Sequence, residues 1–303
     1  MPKIIHYFYD DINIWEKNSN PNFRMCYASW LKYCPDYEIK LWSPEMPEFQ
    51  EILNKSTFVR ECYKRKMWAF IADYIRHYAL FNYGGVYLDT DVQLVKTLDE
   101  YIAKPFFCSI EGDFYNRKNL LESAVIGGQK GHSVFKDMLD IYNSDEIFSI
   151  NHFIDPIVLT EYFYKKYGFE SIDYNKGYKE KAEEYYKTTD KYQLEDIDLY
   201  QNQQITKIKD TDIEVYPSEY FCPTWTAFGE KAFTNKTVAI HWNQSSWWKS
   251  SKSITELEAF RYKNPIKILL YRSSEPIGKF FTWAIPNKNV RRQIRNKIIE
   301  KLR

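Results

Sequence analysis

The stretch Gly84-Gly85-Val86-Tyr87-Leu88-Asp89-Thr90-Asp91 decides how the rest of the chain is read, because it ends a short apolar run in two carboxylates two residues apart. In extended backbone, side chains at i and i+2 point to one side, so Asp89 and Asp91 can face one ligand together. Two carboxylates held that close repel unless a cation or a proton sits between them, and hard oxygen ligands select Mg²⁺ or Mn²⁺. An ion so placed grips a diphosphate.

The residues upstream give the pair its setting. Lys66 to Asn82 reads as a helix that is apolar over most of its circumference, hence buried. Asp73 and Arg76 interrupt that surface at i, i+3 and so share a face, and the small Ala69 and Ala72 beside them leave room for something to approach. On spacing alone the two are either a helix ion pair that satisfies itself or a polar patch offered to a ligand. Gly84 and Gly85 supply the left-handed stop that ends the helix and admits the strand.

Alternation of strand and helix surrounds this unit. Lys3-Ile4-Ile5-His6-Tyr7-Phe8-Tyr9 reads as a first buried strand, residues 22 to 33 as a helix, and Tyr37 to Trp42 as the second strand. Further strands are expected at 85 to 89, 105 to 110 and 122 to 127, with helices at 132 to 142 and 157 to 167, the latter starting at Asp155-Pro156. Ile213 to Pro217 and Thr237 to Ile240 read as late strands, the second delivering His241 to its carboxyl end. The pattern is that of a three-layer α/β domain, in which ligands bind beyond the carboxyl ends of the strands, where Tyr9 and Asp89 to Asp91 both fall. Residues 170 to 212 are polar and weakly periodic and read as a peripheral insertion of short helices over the core. The expected organisation is one domain over 1–250 and a basic helical extension over 251–303.

At 303 residues with 44% apolar and 18% aromatic content, the chain can bury a large core. No run of 18 apolar residues predicts a spanning helix, and the first residues read as a strand rather than a signal peptide, so a cytoplasmic protein is expected. Cys26, Cys34, Cys62, Cys108 and Cys222 are odd in number and lack a Cys-x-x-Cys pair, which argues against a disulfide framework and a zinc knuckle. The net charge of +1 hides an asymmetry, since residues 261–303 hold 12 Lys and Arg against 2 Glu. Such a tail wants an anionic partner.

Four separated motifs, Pro2 to Tyr9, Ala72-Asp73-Tyr74-Ile75-Arg76, Gly84 to Asp91 and His241-Trp242-Asn243-Gln244-Ser245-Ser246-Trp247, resemble one known family in the same order. It is the Asp-x-Asp sugar-transferase family that includes bacterial capsular and lipopolysaccharide glycosyltransferases, yeast initiation mannosyltransferases and, more distantly, the glucosylating domains of large clostridial toxins. The resemblance implies a GT-A fold, an open mixed sheet flanked by helices, and retaining transfer of a hexose from a nucleotide sugar, usually a UDP-sugar, with Mn²⁺ or Mg²⁺. Tyr7, Phe8 and Tyr9 then flank the nucleotide, with Tyr9 in the place of an aromatic, commonly Trp, that stacks on the base. Asp73 and Arg76 match residues that hold the donor sugar. Asp91 becomes a direct metal ligand, Asp89 contacts ribose or sugar and, through water, the metal, and His241 stands where related folds place a third ligand. Ser246 and Trp247 match a late pair that closes over the diphosphate and glycosidic oxygen. Ser123, where the family often has Asn, and Asp155-Pro156, where Gly-Pro is common, depart from the pattern. The partners implied are a nucleotide sugar and a glycan or lipid-linked oligosaccharide acceptor, with no nucleic acid.

Two other readings compete. A phosphatase of the haloacid-dehalogenase class also carries Asp-x-Asp, but wants it after the first strand and followed by a late acidic pair. A non-catalytic glycan-binding protein would use the aromatic residues for stacking and would not need the metal pair. His6, His77, His132 and His152 are read as structural. In the tail, Val290, Ile294, Ile298 and Leu302 form an apolar stripe on a helix dense in Lys and Arg, so peripheral attachment to an anionic inner leaflet is expected, against a terminal helix simply packed on the core.

Overall fold

A computed structural model describes residues 1–14, 20–111, 120–144, 147, 153–169, 204–223, 231–244 and 265–302. A seven-stranded sheet forms its centre, in the order β2 (Glu38–Trp42), β1 (Ile4–Phe8), β3 (Gly85–Leu88), β6 (Leu121–Gly128), β5 (Phe106–Ile110), β8 (Ile213–Tyr216), β7 (Thr206–Lys207). β1 runs parallel to β2 and β3, and β5 to β8, while β6 is antiparallel to both of its neighbours. This is the open mixed sheet of the GT-A expectation. β4 (Val92–Leu94) and β9 (Ala239–His241) form a separate antiparallel pair.

Side chains alternate between two apolar layers, as the period of a strand requires. Phe8, Tyr87, Phe106 and Ile126 join one core with α2 (Pro47–Lys55), α3 (Thr57–Lys64), α4 (Trp68–Tyr83), α5 (Ser133–Asn143) and α6 (Asp155–Tyr167). Tyr7, Val86, Leu88, Phe107 and Val125 join the other, with α1 (Pro21–Tyr33), β4 and β9. A sheet covered on both faces reads as apolar runs rather than clean alternation, which is how β3 and β6 come to be buried at every position. The turn from α4 into β3 needs its glycines: Gly84 and Gly85 have φ of 71° and 108°, and a Cβ on Gly85 would lie 2.6 Å from the Ile4 carbonyl oxygen. His6 secures the same turn, accepting from the Trp42 indole at Nδ1 (3.1 Å) and donating from Nε2 to the Gly84 carbonyl (2.9 Å).

The expected strands and helices are present within a few residues. The helices α2 and α3 and the strand β4 are additional to the sequence reading, and two of its expectations are revised. Thr206–Lys207, assigned to the polar insertion, is an edge strand of the main sheet, and residues 170–203 lie outside the described set. The basic extension contains a pair of packed helices, α8 (Pro265–Thr282) and α9 (Lys288–Leu302), following the short α7 (Ser218–Phe221). Within α9, Val290 and Ile294 are exposed, but Ile298 is half-buried and the neighbouring Ile299 packs on Gly278 of α8, so the larger open apolar face belongs to α8.

Candidate active site

A cleft of about 460 Å³ opens beyond the carboxyl ends of β1 and β3 and is lined by Phe8, Tyr9, Phe23, Asp73, Arg76, Asp89, Asp91 and His241, among others. α4 brings Asp73 and Arg76 to it, and Ala69 and Ala72 line the same wall, leaving the space their size suggested. Tyr9 stacks on Phe23 at 6.0 Å. Tyr7 does not line the cleft: it points to the opposite layer, buried among Phe23, Tyr27 and Trp30.

Arg76 is not closed into a private pair with Asp73. Its guanidinium reaches Asp73 at 3.1 Å, Asp89 at 3.1 Å and Asp155 at 3.5 Å, and donates to the Ser123 hydroxyl, while its flat face lies 5.0 Å from the Tyr87 ring. Three carboxylates on one buried cation leave an excess of acceptors, a surface suited to hydroxyl donors or a further cation. Burial pushes the Asp73 and Asp89 carboxyls up, against the pull of Arg76. Asp155 behaves differently. Burial would raise it too, but the His77 Nε2 at 2.7 Å and the Tyr142 hydroxyl at 2.9 Å hold it ionised, and its own N–H donates to Asp73.

The two motif aspartates sit in a turn rather than in continuous strand. β3 ends at Leu88, and the Val92 N–H donates to the Asp89 carbonyl at 3.0 Å, so a tight turn, not strand periodicity, brings the carboxylates round to one side. Their surroundings then separate them. Asp89 faces Arg76, whereas Asp91 accepts from the Gln244 N–H at 2.8 Å and meets His241 Nε2 at 3.3 Å. Burial opposes ionisation of Asp91, but His241 and these hydrogen bonds carry its pKa down to about 2.

His241 arrives through β9, whose pairing with β4 sets it opposite Val92. Its other nitrogen, Nδ1, faces Glu122 of β6 at 3.2 Å, with Cys222 Sγ 3.9 Å away. Burial works against a charged imidazole, yet Asp91 and Glu122 hold it well above its ordinary range, and Glu122 falls in turn to about 2 against the effect of its own burial. Asn243, held at φ 49°, also lies against Nδ1, and buried Lys231 donates to the Asn243 side-chain oxygen at 2.6 Å.

The donor set fits a hard divalent ion. Asp89, Asp91 and His241 each bring a ligand atom within 4.8 Å of the others, two carboxylate oxygens and one imidazole nitrogen. Glu122 stands behind the imidazole, where it would fix the orientation of the histidine if that residue held an ion. Bound there, an ion would supply positive charge to a departing phosphate. Glu122 was not among the residues expected from sequence; its signal is a lone acid in the apolar run Leu121–Gly128. Ser246 and Trp247 lie outside the described residues.

Residues 20–107 match the model of a family described as the glycosyltransferase sugar-binding region containing DXD motif. Among curated proteins, the chain is 29% identical over 133 residues to inositol phosphoceramide mannosyltransferase 3 of Schizosaccharomyces pombe, a match covering 44% of this chain and 34% of that protein. It is 32% identical over 108 residues to mannosyl phosphorylinositol ceramide synthase SUR1 of Saccharomyces cerevisiae, covering 35% of this chain and 27% of that protein. The chain thus spans about a third of the length of the relatives it matches. Solved structures with some likeness include the PaToxG glycosyltransferase, at 16% identity, 55% of this chain and 69% of that one, TM-score 0.43. Another is the apo form of the glycosyltransferase GlyE from Streptococcus pneumoniae TIGR4, at 11% identity, 82% of this chain and 59% of that one, TM-score 0.36. The matched segment contains α4, the Gly84–Gly85 turn and both motif aspartates, and over that segment the chain is similar to the DXD-containing glycosyltransferases.

Proposed function

We propose that the chain is a metal-dependent, retaining glycosyltransferase that moves a hexose from a nucleotide sugar, a UDP-sugar in the first instance, to a glycan or glycolipid acceptor of a surface polysaccharide or lipid. The observation that carries this is the meeting, in one cleft, of Asp91 and His241, far apart in sequence, with the Asp73–Arg76–Asp89 cluster. Tyr9 and Phe23 offer stacking faces to a nucleobase at one wall. Asp73 and Asp89 accept hydroxyl hydrogen bonds from the sugar, and Arg76 keeps them in place. Asp89, Asp91 and His241 would hold Mn²⁺ or Mg²⁺, with Glu122 orienting the histidine.

The transfer breaks the bond between the anomeric carbon and the diphosphate oxygen and makes one to the acceptor oxygen, the acceptor proton leaving with the phosphate. Carboxylates beside the anomeric carbon stabilise the cationic character that develops there. Mannose belongs among the candidate sugars, since both fungal relatives are named for mannosyl transfer to an inositol-containing ceramide. Peripheral attachment at the inner face of a membrane fits a lipid-linked acceptor.

The test is a panel of UDP- and GDP-hexoses and N-acetylhexosamines, with and without Mn²⁺, scored for slow donor hydrolysis without acceptor. Mn²⁺-dependent release of nucleotide diphosphate from one donor is expected. No hydrolysis of any donor, together with retained binding of glycans, would replace this reading with that of a glycan-binding protein.

A further inference from the structure

The helical pair α8–α9 carries a surface that the cleft does not use. Ser274, Gly278 and Thr282 recur at every fourth position of α8 and are buried. A Cβ built on Gly278 would lie 3.0 Å from Ile299 Cγ1 and 3.1 Å from Arg295 Cγ of α9. Small residues spaced in this way let two helices approach closely, a mode of packing that needs no large apolar contact between them.

With that face committed to α9, the apolar residues of α8 are left outside. Ile266, Leu269, Leu270, Phe280 and Phe281 fall on one stripe of the helix and are between 40% and 70% exposed, and Trp283 just beyond its end is 75% exposed. Together with Val290 and Ile294 of α9, the hairpin holds eight of the fifteen large apolar side chains that are exposed among the described residues. Exposed apolar side chains concentrated on one hairpin in this way mark a surface that meets something. The same hairpin is cationic: Lys279 of α8 and Lys288, Arg292, Lys297 and Lys301 of α9 are exposed. Among the described residues no helix is long and apolar enough to cross a membrane.

We propose that this hairpin docks in the plane of an anionic lipid bilayer, with the α8 stripe and Trp283 at the boundary between headgroups and acyl chains and the Lys and Arg side chains over the phosphates. Charge and apolarity select the occupant jointly. A nucleic acid would engage the cations and leave Phe280, Phe281 and Trp283 in water. A second copy of the hairpin would bring together two surfaces of the same positive sign. An anionic bilayer satisfies both, because aromatic and aliphatic side chains enter the interface while each cation near the surface adds attraction. The inference is independent of the chemistry in the cleft.

Flotation of the full chain with phosphatidylcholine–phosphatidylglycerol vesicles, against pure phosphatidylcholine vesicles, tests it. The chain is expected to float with the anionic vesicles and to be released by high salt. Phe280→Ser, Phe281→Ser and Trp283→Ser together should lower the partition coefficient at least about 100-fold. Lys288→Gln, Arg292→Gln and Lys297→Gln together should lower it by about 100-fold, roughly fivefold per cation. These side chains are exposed, so both variants keep the wild-type circular dichroism and melting temperature. Equal uptake by neutral and anionic vesicles, or unchanged flotation of either variant, overturns the proposal. So does concentration-dependent dimerisation, or capture by polyglutamate, that the serine variant abolishes while vesicles take up no protein.

Discussion

The cleft and the C-terminal hairpin distribute polarity in opposite ways. In the cleft and just behind it, Asp73, Arg76, Asp155 and Glu122 are ionisable groups taken almost wholly out of water, held by partners from distant strands and helices. In the hairpin, Phe280, Phe281 and Trp283 are apolar groups left in water while Ser274, Gly278 and Thr282 occupy the contact between helices. Neither arrangement minimises the free energy of the chain by itself. A fold keeps buried charge or exposed apolar surface where a ligand completes the arrangement, so the two regions point to two different kinds of ligand, one polar and small, the other an extended apolar surface.

The largest consequence should follow from the aspartate that the site holds ionised. Asp91→Asn is expected to lower donor turnover at least about 10³-fold, some 4 kcal/mol of transition-state stabilisation, and to abolish Mn²⁺ binding seen by electron paramagnetic resonance. Wild-type turnover in that variant would leave the cleft without its proposed chemistry. Arg76→Met acts on stability instead. Removing the cation strands three carboxylates and should cost about 3–5 kcal/mol in urea denaturation, and a loss under 1 kcal/mol would show that the cluster is better hydrated than its burial implies.

His6 gives the N-terminal region a pH signature. Burial lowers its pKa to about 4 from the ordinary 6.5, despite its hydrogen bond to the Gly84 carbonyl. Below pH 6.5 the unfolded chain takes up this proton and the folded chain does not. The stability it contributes is therefore present above pH 6.5 and is lost as pH falls toward 4, about 3 kcal/mol in all. Urea midpoints of wild type and His6→Gln, measured between pH 7 and 4.5, should converge at the acid end; parallel curves would remove this role.

Smaller effects sharpen the contrast further. Glu122→Gln leaves the carboxylate's shape but not its charge, and should weaken Mn²⁺ roughly 10- to 100-fold by calorimetry without changing the sugar preference. Trp283→Ser should alter stability by less than about 0.5 kcal/mol, since an exposed side chain has little to lose. A large loss there would mean that the hairpin packs on the protein and not on a bilayer.

Local signals account for what was legible beforehand. β1, α4 and the Gly84–Gly85 entry to β3 are written in continuous stretches whose apolar pattern or backbone demand is plain, and the Asp89–Asp91 pair follows directly from them. β4 is not legible in this way. Three residues, Val92-Gln93-Leu94, become a strand only because Ala239–His241 lies beside them. Glu122 is hidden for a related reason: an acid in a strand reads as solvent-facing until its partner, far along the chain, is placed. Ser56, which ends α2 and caps α3 through the Val59 N–H, divides Pro47–Lys64 into two helices in a stretch to which the sequence reading assigned no element. In α8, Pro276 and Gly278 obscure a helical stripe that exposure makes evident.

The pairing of β4 with β9 also sets when the site comes into being. The Asp91 carboxylate and the Gln244 N–H that it accepts from are 153 positions apart, and closing a loop of that length costs on the order of 4 kcal/mol of chain entropy before any contact repays it. Contacts so distant in sequence form late. During synthesis the paired aspartates emerge well before His241, so the early chain has the carboxylates of the site without its third ligand. A fragment cut to residues 20–107 would keep the motif by which the family is recognised and lack the histidine that faces it.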